Sequence, residues 1–418
     1  MTEHYDALET RDPEQREDEL MADLPGLVAM AVRDAPGWAR HLAGVDPRAV
    51  RSRAALAALP LLRKADLKAL QQADPPFGGL ATLPPGRLSR LFMSPGPVFD
   101  PEAAGDDPWR VARALHAAGL RAGQVVQNCF GYHLTPGAWM VDAGARRLGC
   151  AVIPAGTGQL EQQLELVRAL RPDAYAGTPS FLRILVERAR GAGLGAPFAR
   201  ALVAAEALPA SLRAWLRGEG VRTVLQWYGT ADLGLVAYES EAAEGMILDE
   251  PMILEIVRPG TGEPVPDGEV GEVVVTSFNA AYPMIRFATG DLSAVLPGAS
   301  PCGRTNVRMR GWLGRADQTT KVRGLFVHPG QVAEVARRHP EVRRARLVVS
   351  GRMADDAMTL RCEVDAAGDD AGARLATLVR SLSETVRAVM QLRGEVELVA
   401  PGSLPNDGLA IEDVRSLD

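Results

Sequence analysis

Three short stretches carry side chains able to handle a phosphorylated ligand. WYGTADLG (227–234) sets the Thr230 hydroxyl two residues ahead of the Asp232 carboxylate, a combination that can hold a phosphate and its Mg2+. IRFATGDLS (285–293) places Asp291 in a Thr-Gly-Asp turn, where a carboxylate accepting in two directions suits the cis-diol of a ribose. GRADQTTKVRGLFVHPGQV (314–332) gathers Arg315, Asp317, Lys321 and Gly324, charges interleaved with glycines, as a hinge over a cleft would need. Taken singly, the first reads better as a capped turn and the second as a solvated β-turn, and a plain linker stays open for the third. Their order and spacing together are far more specific.

A fourth stretch, LFMSPGPVFDP (91–101), is an apolar run entering a tight glycine corner, the place where many enzymes cradle a phosphate. A cradle needs successive inward-pointing N–H groups. Pro95 and Pro97 each remove one, leaving Ser94 and Gly96 as the useful members.

The elements that must position these residues follow a clear rhythm. VVQNCF, CAVIPAG, AYAG, ALVAAEA and TVLQWYG read as short apolar strands. TPGAWMVDAGARRLG, QLEQQLELVRALRP, PSFLRILVERARGAG and PASLRAWLRGEG read as the helices between them, closed by Gly149, Pro172 and later glycines. Strand, helix, strand at this spacing implies a mostly parallel sheet covered by helices. From about residue 246 the texture changes to MILDEPMILEIV, a turn-rich TGEPVPDGEVG and EVVVTSF, an antiparallel hairpin in a β-rich subdomain. Residues 318–418 form a compact α+β set.

Composition excludes several classes. With 418 residues, 47% hydrophobic content and a net charge of −6, the chain is an ordinary globular protein of more than one domain, without a basic surface for nucleic acid. No stretch approaches the ~20 apolar residues of a membrane span. The acidic N-terminus lacks the features of a signal peptide. Four scattered cysteines, Cys129, Cys150, Cys302 and Cys362, fit a reducing compartment, and the expected location is the cytoplasm.

In combination, these stretches resemble the adenylate-forming acyl-CoA synthetases, and within them the phenylacetate-CoA ligase branch. The likeness runs from about residue 37. It includes GVDPRAV, LPLLRKADL, the segment 128–163 (NCFGYHLTPGAW to GTGQLEQQ), AAEA (204–207), WYGTAD, RFATGDL, the GRAD to HPGQV block and VAPGSLPNDG. The resemblance implies an α/β fold: a large AMP-binding domain (37–316) of mostly parallel sheets flanked by helices with a β-rich subdomain, then a small mobile C-terminal lid (317–418). A polar and helical extension (1–36) precedes them. The implied reaction joins a small aromatic or short apolar carboxylic acid to coenzyme A through an acyl-adenylate, using ATP and Mg2+. Branch members are often homodimers, for which the N-terminal helices offer an interface.

Carried over by motif, Asp291 holds the ribose and Arg315 supports it. Tyr228 and Gly229 line the adenine and acyl side, Thr230 lies near the α-phosphate, and Ala205, Glu206 and Ala207 form an adenine-side loop that commonly opens with glycine. Asp232 stands where a metal-binding Glu is usual, and Asp317 is the pivot. Tyr132, His133 and Leu134, with Ala205 and Tyr228, wall the acid pocket; His133 reads equally as structural, and Trp139 and Trp227 as core. Two departures stand out: SPGPVFDP replaces a Ser/Thr/Gly-rich phosphate loop, and Leu409 in NDGLAIEDVR occupies the place of the small domain's lysine. Both bear on adenylation, with Lys321 or Arg323 as candidate replacements for the lost charge. Three readings stay open: a ligase that adenylates by other means, an enzyme confined to the thioester half-reaction, and a non-catalytic nucleotide or acyl-CoA binding protein.

Overall fold

The computed structural model describes residues 4–259, 261–316, 320–323, 325–327, 329–352, 355–365, 371–405 and 409–415. The chain divides into two compact units, residues 1–313 and 314–418.

The first unit is built on a nine-stranded mixed sheet. Its parallel half comprises Ala151–Ile153, Val125–Asn128, Ala174–Gly177, Arg200–Val203 and Thr223–Thr230, in that spatial order. These are the strands read from the βα rhythm. The helices Gly137–Arg147, Leu160–Leu170, Pro179–Gly191 and Ala210–Gly218 return the chain between them. Thr178 shows how local sequence fixes an element: its hydroxyl accepts from Phe181 N and Pro179 occupies the first helical position, so the helix starts there. The other half of the sheet is antiparallel. It runs from Thr223–Thr230 through Gly234–Tyr238, Met246–Leu248 and Arg308–Met309 to Val295–Leu296.

A second sheet of four strands joins Leu62–Arg63, Met284–Ser293, Gly271–Ser277 and Met252–Val257. Helix Pro13–Asp34, capped by Asp12, lays Leu20, Leu24, Leu27, Val28 and Ala31 at helical spacing into the core beside it. Leu62–Arg63 pairs in parallel with Phe287–Ala288, which sets the residues after Arg63 next to Thr289–Asp291; this run, read from the sequence as a turn, instead continues the strand through a register shift against Gly271–Ser277. Arg286 secures this contact. Buried at a left-handed φ of 47°, it donates to Glu255 (3.1 Å), to the carbonyls of Ala57 and Leu59 (each 2.6 Å) and to that of Gly262 (2.8 Å).

The second unit packs helices Pro329–Arg337 and Ala371–Met390 on a four-stranded sheet of Glu395–Val399, Asp355–Val364, Val342–Arg352 and Ile411–Asp413. Among the described residues no helix is long and apolar enough to cross a membrane.

Replacing Arg286 with methionine strands the buried Glu255 carboxylate and three carbonyls. The expected cost is about 3–5 kcal/mol, read as a lower urea midpoint for the first unit.

Candidate active site

Two of the sequence motifs converge in the first unit. Strand Thr223–Thr230 bulges between Tyr228 and Gly229 as it pairs with Gly234–Tyr238. Gly229 is required there, because a Cβ would lie 2.4 Å from the Gly234 carbonyl oxygen. Beyond the bulge, the Thr230 hydroxyl accepts from Leu233 N (3.2 Å) and closes the turn that carries Asp232. The Tyr228 hydroxyl reaches the second motif: it donates to Asp291 Oδ2 at 2.7 Å and lies 3.2 Å from Thr289 Oγ1. Trp312 donates its indole N–H to Asp291 Oδ1 at 3.0 Å. Two rigid aromatic donors thus fix the rotamer of a carboxylate suited to a diol. Trp312 escaped the sequence reading because it lies outside the Thr-Gly-Asp motif.

Asp232 is almost fully buried, and its Oδ2 accepts from Lys64 Nζ at 2.5 Å. Lys64 follows strand Leu62–Arg63, so its position derives from the pairing with Phe287–Ala288. Protein surrounds the ammonium closely, yet the side chain keeps 32% of its exposure, as expected for a group lining a crevice. Burial alone would lower its pKa; the carboxylates of Asp232, Asp100 and Asp291 outweigh this and hold it above the ordinary lysine value.

Asp100 comes from the SPGPVFDP stretch, which forms an antiparallel hairpin of Arg90–Ser94 and Val98–Glu102. Ser94 Oγ donates to Asp100 Oδ2 (2.5 Å), so the hydroxyl expected to help a phosphate is engaged across the hairpin. Gln71, on helix Leu67–Ala73, holds the hairpin by accepting from Phe99 N (2.7 Å) and donating to Phe99 O (2.8 Å). One short segment, LLRKADLKALQQ, therefore delivers Lys64 to Asp232 and pins Asp100 beside both. Asp100 Oδ1 and Asp232 Oδ1 are sealed from solvent without a protein donor, while the two carboxyls lie within hydrogen-bonding reach of each other. Such a pair is satisfied when one member keeps its proton. Burial, then the Asp232 charge, pushes Asp100 up to about 8.

This arrangement does not fit a resident divalent cation at Asp232. An ammonium already neutralises that carboxylate at contact distance, and no group of three or more potential metal ligands occurs among the described residues.

The remaining sequence candidates fall as follows. Ala205 is exposed and adopts φ 68° in the position where glycine is common; Glu206 Oε2 accepts from Ser180 N (3.3 Å), and Ala207 is half-buried beside it. Tyr132 turns its hydroxyl inward, accepting from Asn128 Nδ2 (2.9 Å), and packs edge-on against Trp139, leaving its ring to shape any pocket. His133 and Leu134 are exposed. Arg315 is half-buried at the start of the second unit. In that unit Arg323 is anchored to the carbonyls of Asp356 (3.0 Å) and Arg393 (3.3 Å), and Leu409 is exposed. Asp317 and the Lys321 side chain lie outside the described residues. Lys64 is the functional candidate that motif reading passed over. Its signal is compositional: only Lys64, Lys68 and Lys321 are lysines among 46 Lys and Arg residues.

Models of known families match on both units: AMP-binding enzyme over residues 132–281 and AMP-binding enzyme C-terminal domain over 324–414. The chain is 34% identical to a phenylacetate-coenzyme A ligase of Thermus thermophilus, over 76% of this chain and 74% of that one. It is 29% identical to the same-named protein of Escherichia coli, over 90% and 89%. Among solved structures it is similar to a 2-hydroxyisobutyryl-CoA ligase in complex with 2-HIB-AMP and CoA in the thioesterification state, with a TM-score of 0.82 and 26% identity, covering 98% of this chain and 92% of that one. The amide bond synthetase McbA from Marinactinospora thermotolerans shares the fold at 17% identity and a TM-score of 0.55, over 94% and 92%.

Two outcomes follow from the hairpin. Gln71→Ala removes two part-buried hydrogen bonds to the backbone N–H and C=O of Phe99, at about 2 kcal/mol of stability; thermal unfolding measures the loss. Asp100 also imposes a pH dependence. Its raised pKa means the folded state binds the extra proton between about pH 4 and 8, so its contribution to stability falls as pH rises through that range and levels off above it. Asp100→Asn lacks this component. The melting temperature of the variant minus that of the parent is expected to grow from pH 5 to 8.

Proposed function

Because the chain belongs to the AMP-binding enzymes, alongside the phenylacetate-coenzyme A ligases, we propose that it is an AMP-forming acid–thiol ligase. It activates a small aromatic or short apolar carboxylic acid as an acyl-adenylate and transfers the acyl group to coenzyme A. The observation that carries this reading is the Asp291 carboxylate, oriented by Tyr228 and Trp312 beside the 228–232 turn, where a ribose diol and the adjoining phosphate can be received together.

In this reading the acid's carboxylate oxygen attacks the α-phosphorus of ATP. The bond to the β-phosphate oxygen breaks, and pyrophosphate departs with the bonding electrons. Asp291 accepts from the ribose hydroxyls in both half-reactions, and the Thr230 hydroxyl and the N–H groups of its turn face the α-phosphate. Ala205, Glu206 and Ala207 border the adenine. The Tyr132 and Tyr228 rings give the acid pocket its apolar walls and favour a small aromatic acid. Arg315 supports the ribose from the second unit, with Asp317 as the pivot between half-reactions. Mg2+ enters as the counter-ion of the ATP triphosphate. Four buried free cysteines support a cytoplasmic location.

Leu409 favours one alternative, a protein restricted to the thioester half-reaction, since an exposed leucine supplies no charge to a phosphate. Acid-dependent exchange of labelled pyrophosphate into ATP separates the two. Exchange with phenylacetate or another member of an acid panel is expected, and its absence across the panel, with thioester formed from preformed adenylate, would leave the alternative. Asp291→Asn is expected to weaken AMP binding roughly 10–100-fold, the range for losing hydrogen bonds to a charged group, as measured by calorimetry.

A further inference from the structure

We propose that Lys64 is the cation that stabilises the transferring α-phosphoryl group during adenylation, supplying from the first unit the charge that Leu409 cannot supply from the second. This rests on the ligase reading above.

Three independent placements converge on it. Strand pairing sets Lys64 beside the Thr289–Asp291 segment of strand Met284–Ser293. Its ammonium touches Asp232, on the turn that also carries Thr230. The hairpin at the phosphate-loop position closes on the same group through Asp100. Asp291 adds a third acidic influence on Nζ. A phosphate received between the ribose carboxylate and the Thr230 turn therefore arrives where Lys64 already lies. Of the two replacements named from the sequence, Arg323 has its guanidinium held by backbone carbonyls of its own unit, and the Lys321 side chain lies outside the described residues.

The chemistry suits a lysine. As the carboxylate–phosphorus bond forms and the phosphorus–oxygen bond to pyrophosphate breaks, negative charge is redistributed over the α-phosphoryl oxygens. A preorganised donor aimed at them lowers the barrier without reorganising. Lys64 keeps its proton throughout, held by the surrounding carboxylates. It exchanges Asp232 for phosphate as its partner by rotation about its flexible four-carbon stem. The Asp232–Lys64 pair is thus the resting state of a charge used in the first half-reaction and dispensable in the second, in which coenzyme A sulfur attacks the acyl carbon and AMP leaves.

The test separates the half-reactions on the full chain, with phenylacetate as the acid. Lys64→Met is expected to lower ATP–pyrophosphate exchange roughly 10²–10³-fold, the loss typical of one preorganised donor. Thioester formation from synthetic phenylacetyl-adenylate and coenzyme A should stay within about threefold of the parent. Adding Leu409→Lys to Lys64→Met should recover at least about tenfold of the exchange. Lys64→Arg keeps the charge near Asp232 and serves where the methionine variant does not fold; it should retain AMP binding but recover only part of the exchange rate. Unchanged exchange in the variants overturns the proposal while the ligase function stands. Equal loss in both half-reactions with intact AMP binding also overturns it. Absence of exchange in the parent protein, by contrast, removes the ligase reading on which it rests.

Discussion

The contact between Lys64 and Asp232 organises this site. One turn, one strand, one hairpin and one short helix meet at a single ammonium, and each contributes a carboxylate or the backbone that positions one. Remove the positive charge and three acidic groups, Asp232, Asp100 and Asp291, face one another with one mobile proton between two of them. Buried like charges do not all ionise at such separations. Asp100 relieves part of the strain by retaining its proton, and Lys64 relieves the rest. The pair thereby decides what the crevice will admit. A cation fixed among these carboxylates offsets the negative charge that a transferring phosphoryl group meets beside Asp291 and Asp232.

Much of this architecture was legible in the sequence. The parallel half of the sheet followed from apolar runs and amphipathic helices punctuated by glycine and proline, and Thr178-Pro179 shows that the punctuation is itself a structural instruction. The Gly-Thr-Ala-Asp turn was legible as well, since its residue types suit a phosphate before any fold is known, whereas the Thr-Gly-Asp run, which reads as a turn, lies within strand Met284–Ser293 at a shift of register. The antiparallel half of the large sheet was only partly readable, because hairpin pairing depends on register between segments with similar periodicity. In SPGPVFDP the two prolines are plain in the sequence, whereas the bond between Ser94 and Asp100 across the hairpin is not.

Lys64 was illegible for a different reason. It follows an arginine at the start of a short helix, a context that reads as a solvated surface charge. Its importance comes from the parallel pairing of Leu62–Arg63 with Phe287–Ala288, a contact between distant parts of the chain that no local pattern encodes. Arg286, which holds that contact together, was equally silent. The sequence places it near a functional turn, yet its guanidinium points into the scaffold, towards Glu255 and three carbonyls. The difference between the two basic residues lies in their surroundings. Arginine is matched by fixed acceptors that use most of its fork, whereas the lysine meets carboxylates on one side and a crevice on the other.

That contrast explains why a chain with so few lysines uses one here. A guanidinium has a rigid planar fork and favours bidentate, static pairing with a carboxylate. Between Asp232 and an incoming phosphate, such a pairing would be slow to exchange and sterically demanding. An ammonium is compact, and its three donors rotate freely about a flexible stem, so it can hold Asp232 at rest and turn to a phosphate without moving the backbone. Placing this group in the first unit has a consequence for the two half-reactions. Where the charge on the α-phosphoryl group is carried by a lid, adenylation requires the lid to be docked; where it is carried by Lys64, that charge no longer depends on the second unit. Leu409 is then no defect.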